Sequence, residues 1–150
     1  MPKNKITLAC LAGLFIFMMS AAARAENSQD FGDYVVHFNA LGTHMLPASV
    51  TKQYGLKRSK NRGMINIAVL RKVLGTTGKP VSARVSASAT NLTGQKRDIP
   101  LREIREGTAI YYIGDFPITH EETLRFTVDV QPEGEQETFQ VRFKQQFYTR

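Results

Sequence analysis

The chain has 150 residues, a formal net charge of +7 and a single cysteine, Cys10. One cysteine excludes an intramolecular disulfide, so the fold must be held by its hydrophobic core alone, as a domain of this length can be. Without the first 25 residues, 17 basic and 13 acidic residues leave a net charge of +4. The charge is unevenly distributed, with a basic stretch over residues 52–105 and an acidic stretch over residues 106–137.

Residues 1–25 are predicted to be a signal peptide. Two lysines precede an apolar run over residues 6–19, which is too short to span a bilayer. Small residues before Glu26 form a cleavage site of the A-x-A type, which predicts cleavage after Ala25 and a secreted protein with no stable membrane insertion. A retained amphiphilic anchor is the alternative. Thr7 occupies a position where a lipobox has an aliphatic residue, so we expect no lipidation of Cys10.

The first half of the exported chain is predicted to contain three strands and a short helix. Residues 26–30 are polar and are expected to be frayed. Apolar residues alternate with others over residues 31–41, 64–73 and 81–90, as in half-buried strands. Between the first two strands, Pro47 and Gly55 bracket one or two helical turns. A connection this long is often functional.

The second half contains a stretch that is apolar on both faces, residues 109–116, which predicts a central strand covered on both sides. The preceding strand, residues 96–105, is interrupted by Pro100, which cannot donate to a ladder and so indicates an edge or a bulge. Two more alternating strands follow residue 123. About seven strands separated by Gly, Pro and Asn turns predict one all-β domain over residues 26–150, an immunoglobulin-like β-sandwich.

Five segments of the chain together resemble one known family. They are FGDYVVHFNAL (31–41), YGLKRSKNRGMINIAVL (54–70), ATNLTGQ (89–95), EIREGTAIYYIGDF (103–116) and THEETLRFTVDV (119–130). The family that they resemble is the bacterial family of exported proteins catalogued as domain of unknown function 4426, and the likeness covers nearly the whole exported chain. The resemblance implies a periplasmic location and an immunoglobulin-like β-sandwich, and it carries no activity, cofactor or catalytic residue.

A basic loop over residues 57–62 is the first candidate site. Clustered ammonium and guanidinium groups can engage an acidic protein or an acidic headgroup, whereas the alternative is a solvated loop with no specific role. Nucleic acid is not expected as a partner, because the protein is exported and the loop has no aromatic stacking platform beyond one tyrosine. The predicted partner-binding residues are Tyr54, Lys57, Arg58, Lys60 and Arg62.

A metal site is the alternative from a different functional class. His44 and Met45 are adjacent, and imidazole and thioether groups suit copper in an oxidising compartment. Met64 is a third candidate ligand, but no downstream His-x-Met pair follows, and blue-copper chemistry would need a cysteine in the exported chain.

Enzymatic function is not expected. A hydrolase needs a nucleophile beside a base, yet no G-x-S-x-G elbow occurs and the three histidines lie in unrelated sequence contexts. We therefore predict a non-enzymatic periplasmic binding or accessory module without a cofactor. A structural subunit that adds an edge strand to a partner is a further possibility.

Overall fold

The chain folds into two antiparallel β-sheets packed face to face, which confirms the predicted all-β sandwich. This computed structural model describes residues 27–150. The predicted signal peptide, the cleavage after Ala25 and the prediction for Cys10 lie outside the described residues. Within residues 27–150, no helix has the length and apolar character needed to cross a membrane.

Ten strand segments form the two sheets in the part of the chain that the structure describes. A 3-10 helix (Thr43–Met45) and a short helix α1 (Ala48–Gln53) lie between the second and third strands. The strands are β1 (Asn27–Phe31), β2 (Tyr34–Gly42), β3 (Arg62–Arg71), β4 (Lys79–Pro80), β5 (Ala83–Asn91), β6 (Lys96–Ile99), β7 (Arg102–Glu106), β8 (Ala109–Pro117), β9 (Thr123–Pro132) and β10 (Phe139–Gln146). Sheet A has the order β1-β2-β3-β8-β7, with β4 paired to β3, and sheet B has the order β10-β9-β5-β6.

The core between the sheets follows from the alternation of apolar residues along each strand. In β9 every second residue from Leu124 to Val130 is fully buried or nearly so. Phe126 lies at the centre of an aromatic group, stacked on Phe143 with ring centroids 4.8 Å apart and tilted against Phe116 at 5.4 Å. Such pairs add to the free energy gained by burying the rings.

Strand β8 is covered on both faces, as its sequence predicts. It lies between β3 and β7 in sheet A. Ile110 and Tyr112 face the core between the sheets. Ile113 and Tyr111 belong to a second, smaller core on the outer face of sheet A, which helix α1 and its flanking segments cover. Two apolar faces are therefore buried because this sheet has a layer on each side.

Pro100 divides one predicted strand between the two sheets. Strand β6 ends at Ile99 as an edge of sheet B, and β7 begins at Arg102 as an edge of sheet A. The chain passes directly over Gly114 at this crossing, where a Cβ atom would lie 2.5 Å from the carbonyl oxygen of Pro100. The edge position predicted from the proline is confirmed, and the crossing explains why glycine occupies position 114.

Two features differ from the sequence prediction. Residues 27–150 contain ten strand segments rather than about seven, because residues 96–105 form two strands and the β1 and β4 segments lack an apolar pattern. Residues 27–30 are not frayed, since β1 pairs with β2 from Asn27 opposite Phe38 to Phe31 opposite Tyr34. Backbone pairing to the edge of β2 replaces the missing apolar alternation, and stacking of Phe31 on Phe139 at 4.7 Å anchors the strand.

Candidate functional site

The long connection between β2 and β3 carries the predicted site and packs on the outer face of sheet A. Leu56 from this connection is buried with Met64 of β3 and Ile113 of β8. Pro47 precedes the first turn of α1 and Gly55, with a φ of 65°, follows its end, as the sequence predicts. The apolar contact holds the connection against the sheet, so the basic loop that follows it begins from a fixed point.

Thr43 fixes the backbone of the basic loop. Its side chain is fully buried, and its hydroxyl lies 2.8 Å from the carbonyl oxygen of Lys57 and 3.0 Å from that of Ser59, either of which accepts its proton. The same oxygen accepts a hydrogen bond of 2.9 Å from the backbone N–H of Ser59. A single buried hydroxyl thereby satisfies polar groups on two residues of the loop.

Arg58 stabilises the basic loop through two hydrogen bonds to backbone carbonyl oxygens. Its Nε donates to the carbonyl oxygen of Leu46 at 2.9 Å, and its Nη2 donates to the carbonyl oxygen of His44 at 3.0 Å. These bonds tie the basic loop to the 3-10 helix and to the residue that follows it. The fork of the guanidinium suits two neighbouring carbonyls, which a lysine could not bind in the same way.

Arg62 is also engaged within the protein, whereas the two lysines are not. Its guanidinium forms an ion pair with Asp115 of β8 at 2.7 Å, and both side chains are about one third exposed. Lys57 and Lys60 are exposed, and neither forms a side-chain hydrogen bond or ion pair in the described part of the chain. Of the four predicted cations, therefore, two stabilise the loop and two are presented to solvent.

Tyr54 contacts Glu106, the last residue of β7, rather than projecting as a free aromatic ring. Its hydroxyl donates to Glu106 at 2.7 Å, and Gln53 donates to the other oxygen of the same carboxylate at 3.2 Å. The hydrogen bond to the Glu106 carboxylate, followed by burial, raises the pKa of Tyr54 to about 12. This contribution to stability is fully present below pH 10, the ordinary value for tyrosine, and is lost as the pH rises through about 12.

A cavity of about 250 Å³ lies between α1 and sheet A, beside the basic loop. Asn39 and Asn66 are Cα partners on β2 and β3, and the Oδ1 atom of Asn66 is buried without a hydrogen-bond partner in residues 27–150. Asparagine is depleted in strands, so an asparagine in each of two predicted strands was a sequence signal for this site that the prediction did not use. The lining residues are Asn39, Leu41, Leu46, Val50, Tyr54, Met64, Asn66, Tyr111 and Ile113.

The three candidate metal ligands have different surroundings. His44 packs its ring against Gly42, and Met45 is 67% exposed. Met64 is buried in the second core. Within residues 27–150, no three or more His, Cys, Asp or Glu side chains are grouped so that they could hold a metal ion. The thioether of Met45 is therefore open to solvent, whereas that of Met64 is inside the second core.

Comparison with known families and structures gives a consistent result. The model of a family described as a domain of unknown function, DUF4426, matches residues 28–150. A crystal structure of a DUF4426 family protein from Pseudomonas aeruginosa is 36% identical in sequence, with a TM-score of 0.72, over 84% of this chain and 97% of that chain. No curated protein matches the chain.

Two more distant structures share the fold. FetP from a uropathogenic strain of Escherichia coli, as isolated, is 12% identical with a TM-score of 0.58, over 83% of this chain and 94% of that one. A copper-bound variant of FetP gives the same identity and TM-score over 82% and 95% of the two chains. At this identity the similarity shows the two-sheet fold alone.

Proposed function

The chain belongs to the DUF4426 family, and on that premise we propose that it is a non-enzymatic binding or accessory module of the periplasm that recognises an acidic partner through the basic loop of residues 57–62. One observation carries this proposal. Lys57 and Lys60 are exposed on a loop whose backbone is held by Thr43 and Arg58, and neither lysine is engaged within the described residues.

A fixed loop favours binding because less conformational entropy is lost when a partner docks. Buried Thr43 holds the carbonyl of Lys57 directly, and Arg58 ties the next residue to a neighbouring segment. The ammonium groups thus start from defined backbone positions, although their side chains remain mobile. Contacts of exposed cations are screened by salt, so recognition by this loop should weaken at high ionic strength.

The test is a double charge reversal of the two solvent-facing cations, Lys57→Glu with Lys60→Glu. We expect the variant to capture its partner from periplasmic and membrane extracts about tenfold more weakly than the native protein, a change of about 1.4 kcal/mol. A high-salt wash should release the partner from the native protein. Arg58 and Arg62 are left unchanged, because reversing them would also disturb the loop and its contact with Asp115.

A matched control reverses Lys79 and Arg84, two exposed cations at the other end of the sandwich, and alters the net charge equally. This control should retain the partner. Retention of the partner by the Lys57 and Lys60 variant at low salt would place recognition elsewhere, in the cavity beside α1 or on an edge strand.

Copper handling is a second candidate function, favoured by the exposure of Met45 directly beside His44. The fold is shared with a copper-bound FetP variant, which supports the candidate only at the level of architecture. Calorimetric titration of the protein with copper should then show micromolar binding that is lost on His44→Ala and kept on His120→Ala. The absence of binding by the native protein would exclude this candidate.

A further inference from the structure

Basic residues that are distant in sequence meet on the outer face of sheet B. Lys144 of β10 is the Cα partner of Arg125 of β9, and Arg125 is in turn the partner of Thr90 of β5. Thr90 is paired with Lys96 of β6, so three cations lie in one row across the four strands. Arg142, two residues before Lys144, faces the same side. We call Lys96, Arg125, Arg142 and Lys144 the sheet B basic face.

The four cations of this face outnumber the acidic residues beside them and are not paired with an acid within the described residues. Lys144 and Arg125 are directly opposite, at about 5 Å between Cβ atoms, an arrangement that is destabilising for like charges. All four cations are exposed, and none forms an ion pair within residues 27–150. Asp98 and Asp129 lie on the same face in the following rows, and Asp129 accepts a hydrogen bond from Gln140 at 2.9 Å.

Two exposed, largely apolar side chains flank the basic face at the same end. Leu92 is 65% exposed in the turn between β5 and β6, next to the row of cations. Tyr148 is 56% exposed just beyond β10 and packs edge-on against His120, with ring centroids 6.1 Å apart. Cations beside a projecting leucine and an amphipathic tyrosine are typical of proteins that bind at a membrane interface.

The basic loop and the sheet B basic face lie at the same end of the sandwich. Arg97 of β6 donates to the carbonyl oxygen of Pro117 at 2.9 Å, and Pro117 is the Cα partner of Arg62. The carbonyl oxygen of Asn61, in the basic loop, accepts a hydrogen bond of 2.9 Å from the N–H of Ile118. Within the described residues, this end of the molecule therefore carries cations without an ion-pair partner beside both sheets.

We propose that this end of the sandwich docks on an anionic lipid surface, with the sheet B basic face against phosphate headgroups and Leu92 in the interfacial layer. The proposal rests on the proposed function in that it identifies the acidic partner as lipid headgroups. The row of cations spans three strand spacings, about 14 Å, which is wider than one phosphate group and suits a surface with several. Thr90 and Thr127 line a depression of about 460 Å³ between the cations, where a phosphate group can accept hydrogen bonds.

The test is sedimentation of the protein, produced with its own leader, with vesicles of phosphatidylcholine alone or mixed with phosphatidylglycerol. We expect binding only to the anionic vesicles, with an affinity that falls as salt is added. Lys96→Glu with Lys144→Glu should weaken binding about tenfold or more. Lys144→Glu alone places opposite charges across from each other, so the variant should unfold at the same or a higher temperature than the native protein while binding vesicles less.

Leu92→Ser should weaken vesicle binding several-fold, whereas Leu74→Ser, at a fully exposed leucine outside the proposed surface, should not. Equal binding to both kinds of vesicle, no binding to either, or native binding by the Lys96 and Lys144 variant would overturn the proposal. Capture of an acidic protein that depends on Lys57 and Lys60, without vesicle binding, would overturn this inference and leave the proposed function in place.

Discussion

Replacing Phe126 with alanine is expected to lower the free energy of unfolding by about 3–5 kcal/mol. The ring is 1% exposed and contacts those of Phe116, Phe143 and Phe147, with centroids 5.4, 4.8 and 6.2 Å away. Truncation leaves a cavity where the two sheets meet, and three aromatic rings lose a partner. The chain has no tryptophan, so urea unfolding is best followed by circular dichroism.

Two other variants serve as controls for this result. Phe126→Leu keeps most of the buried volume and should cost less than the alanine variant. Leu74→Ala changes a fully exposed side chain and should alter the free energy of unfolding by less than about 0.5 kcal/mol. A loss below about 1 kcal/mol for Phe126→Ala would mean that the aromatic group is not the packing centre of the sandwich.

The second large effect is expected at Gly114, where alanine should cost about 1–3 kcal/mol. An added Cβ would lie 2.5 Å from the backbone oxygen of Pro100, 2.8 Å from a methyl group of Ile99 and 3.0 Å from one of Leu101. Because the nearest atom belongs to the backbone, relief requires the crossing segment to move away from sheet A. Thermal and urea unfolding would both report the loss.

Gly42→Ala is the matched control for Gly114→Ala. The nearest atoms to an added Cβ at this position belong to the ring of His44, at 2.6 Å, which can rotate away. Gly42 already has a φ of −68°, so alanine brings no backbone strain. A cost at Gly42 equal to that at Gly114 would show that the close approach of the crossing segment is not what determines stability there.

The parts of the fold that could be predicted from the sequence are those set by local rules. Pro47 and Gly55 bracket a helix, Pro100 ends a strand at a sheet edge, and the two apolar faces of β8 require a layer on each side. Each of these follows from backbone geometry or from a period of two. The tertiary context agrees with the local preference at all three positions.

Features that depend on backbone pairing or on residues distant in sequence could not be predicted from local sequence rules. Strand β1 has no apolar pattern, and it is held by hydrogen bonds to the edge of β2. Arg58 looked equivalent to its neighbours in the basic loop, yet it binds two carbonyls of a segment twelve to fourteen residues earlier. Charge alone cannot distinguish an arginine that holds a loop together from a lysine that faces solvent.

The sheet B basic face could not be predicted from the sequence either. Lys96, Arg125 and Lys144 lie in different parts of the sequence, and Arg125 is the single basic residue in the acidic stretch of residues 106–137. Only the strand register places them in one row. A division of the chain into a basic half and an acidic half therefore describes its composition, while the surface potential is determined by pairing between strands.

The path of the chain between the sheets has a consequence for folding. The chain forms β1 to β4 in sheet A, moves to sheet B for β5 and β6, returns for β7 and β8, and ends in sheet B. Neither sheet is therefore encoded by a continuous segment, and no single cleavage of the backbone places the two sheets in separate fragments. Half of the sandwich cannot act as an independent folding unit, so the domain should assemble and unfold in one cooperative step.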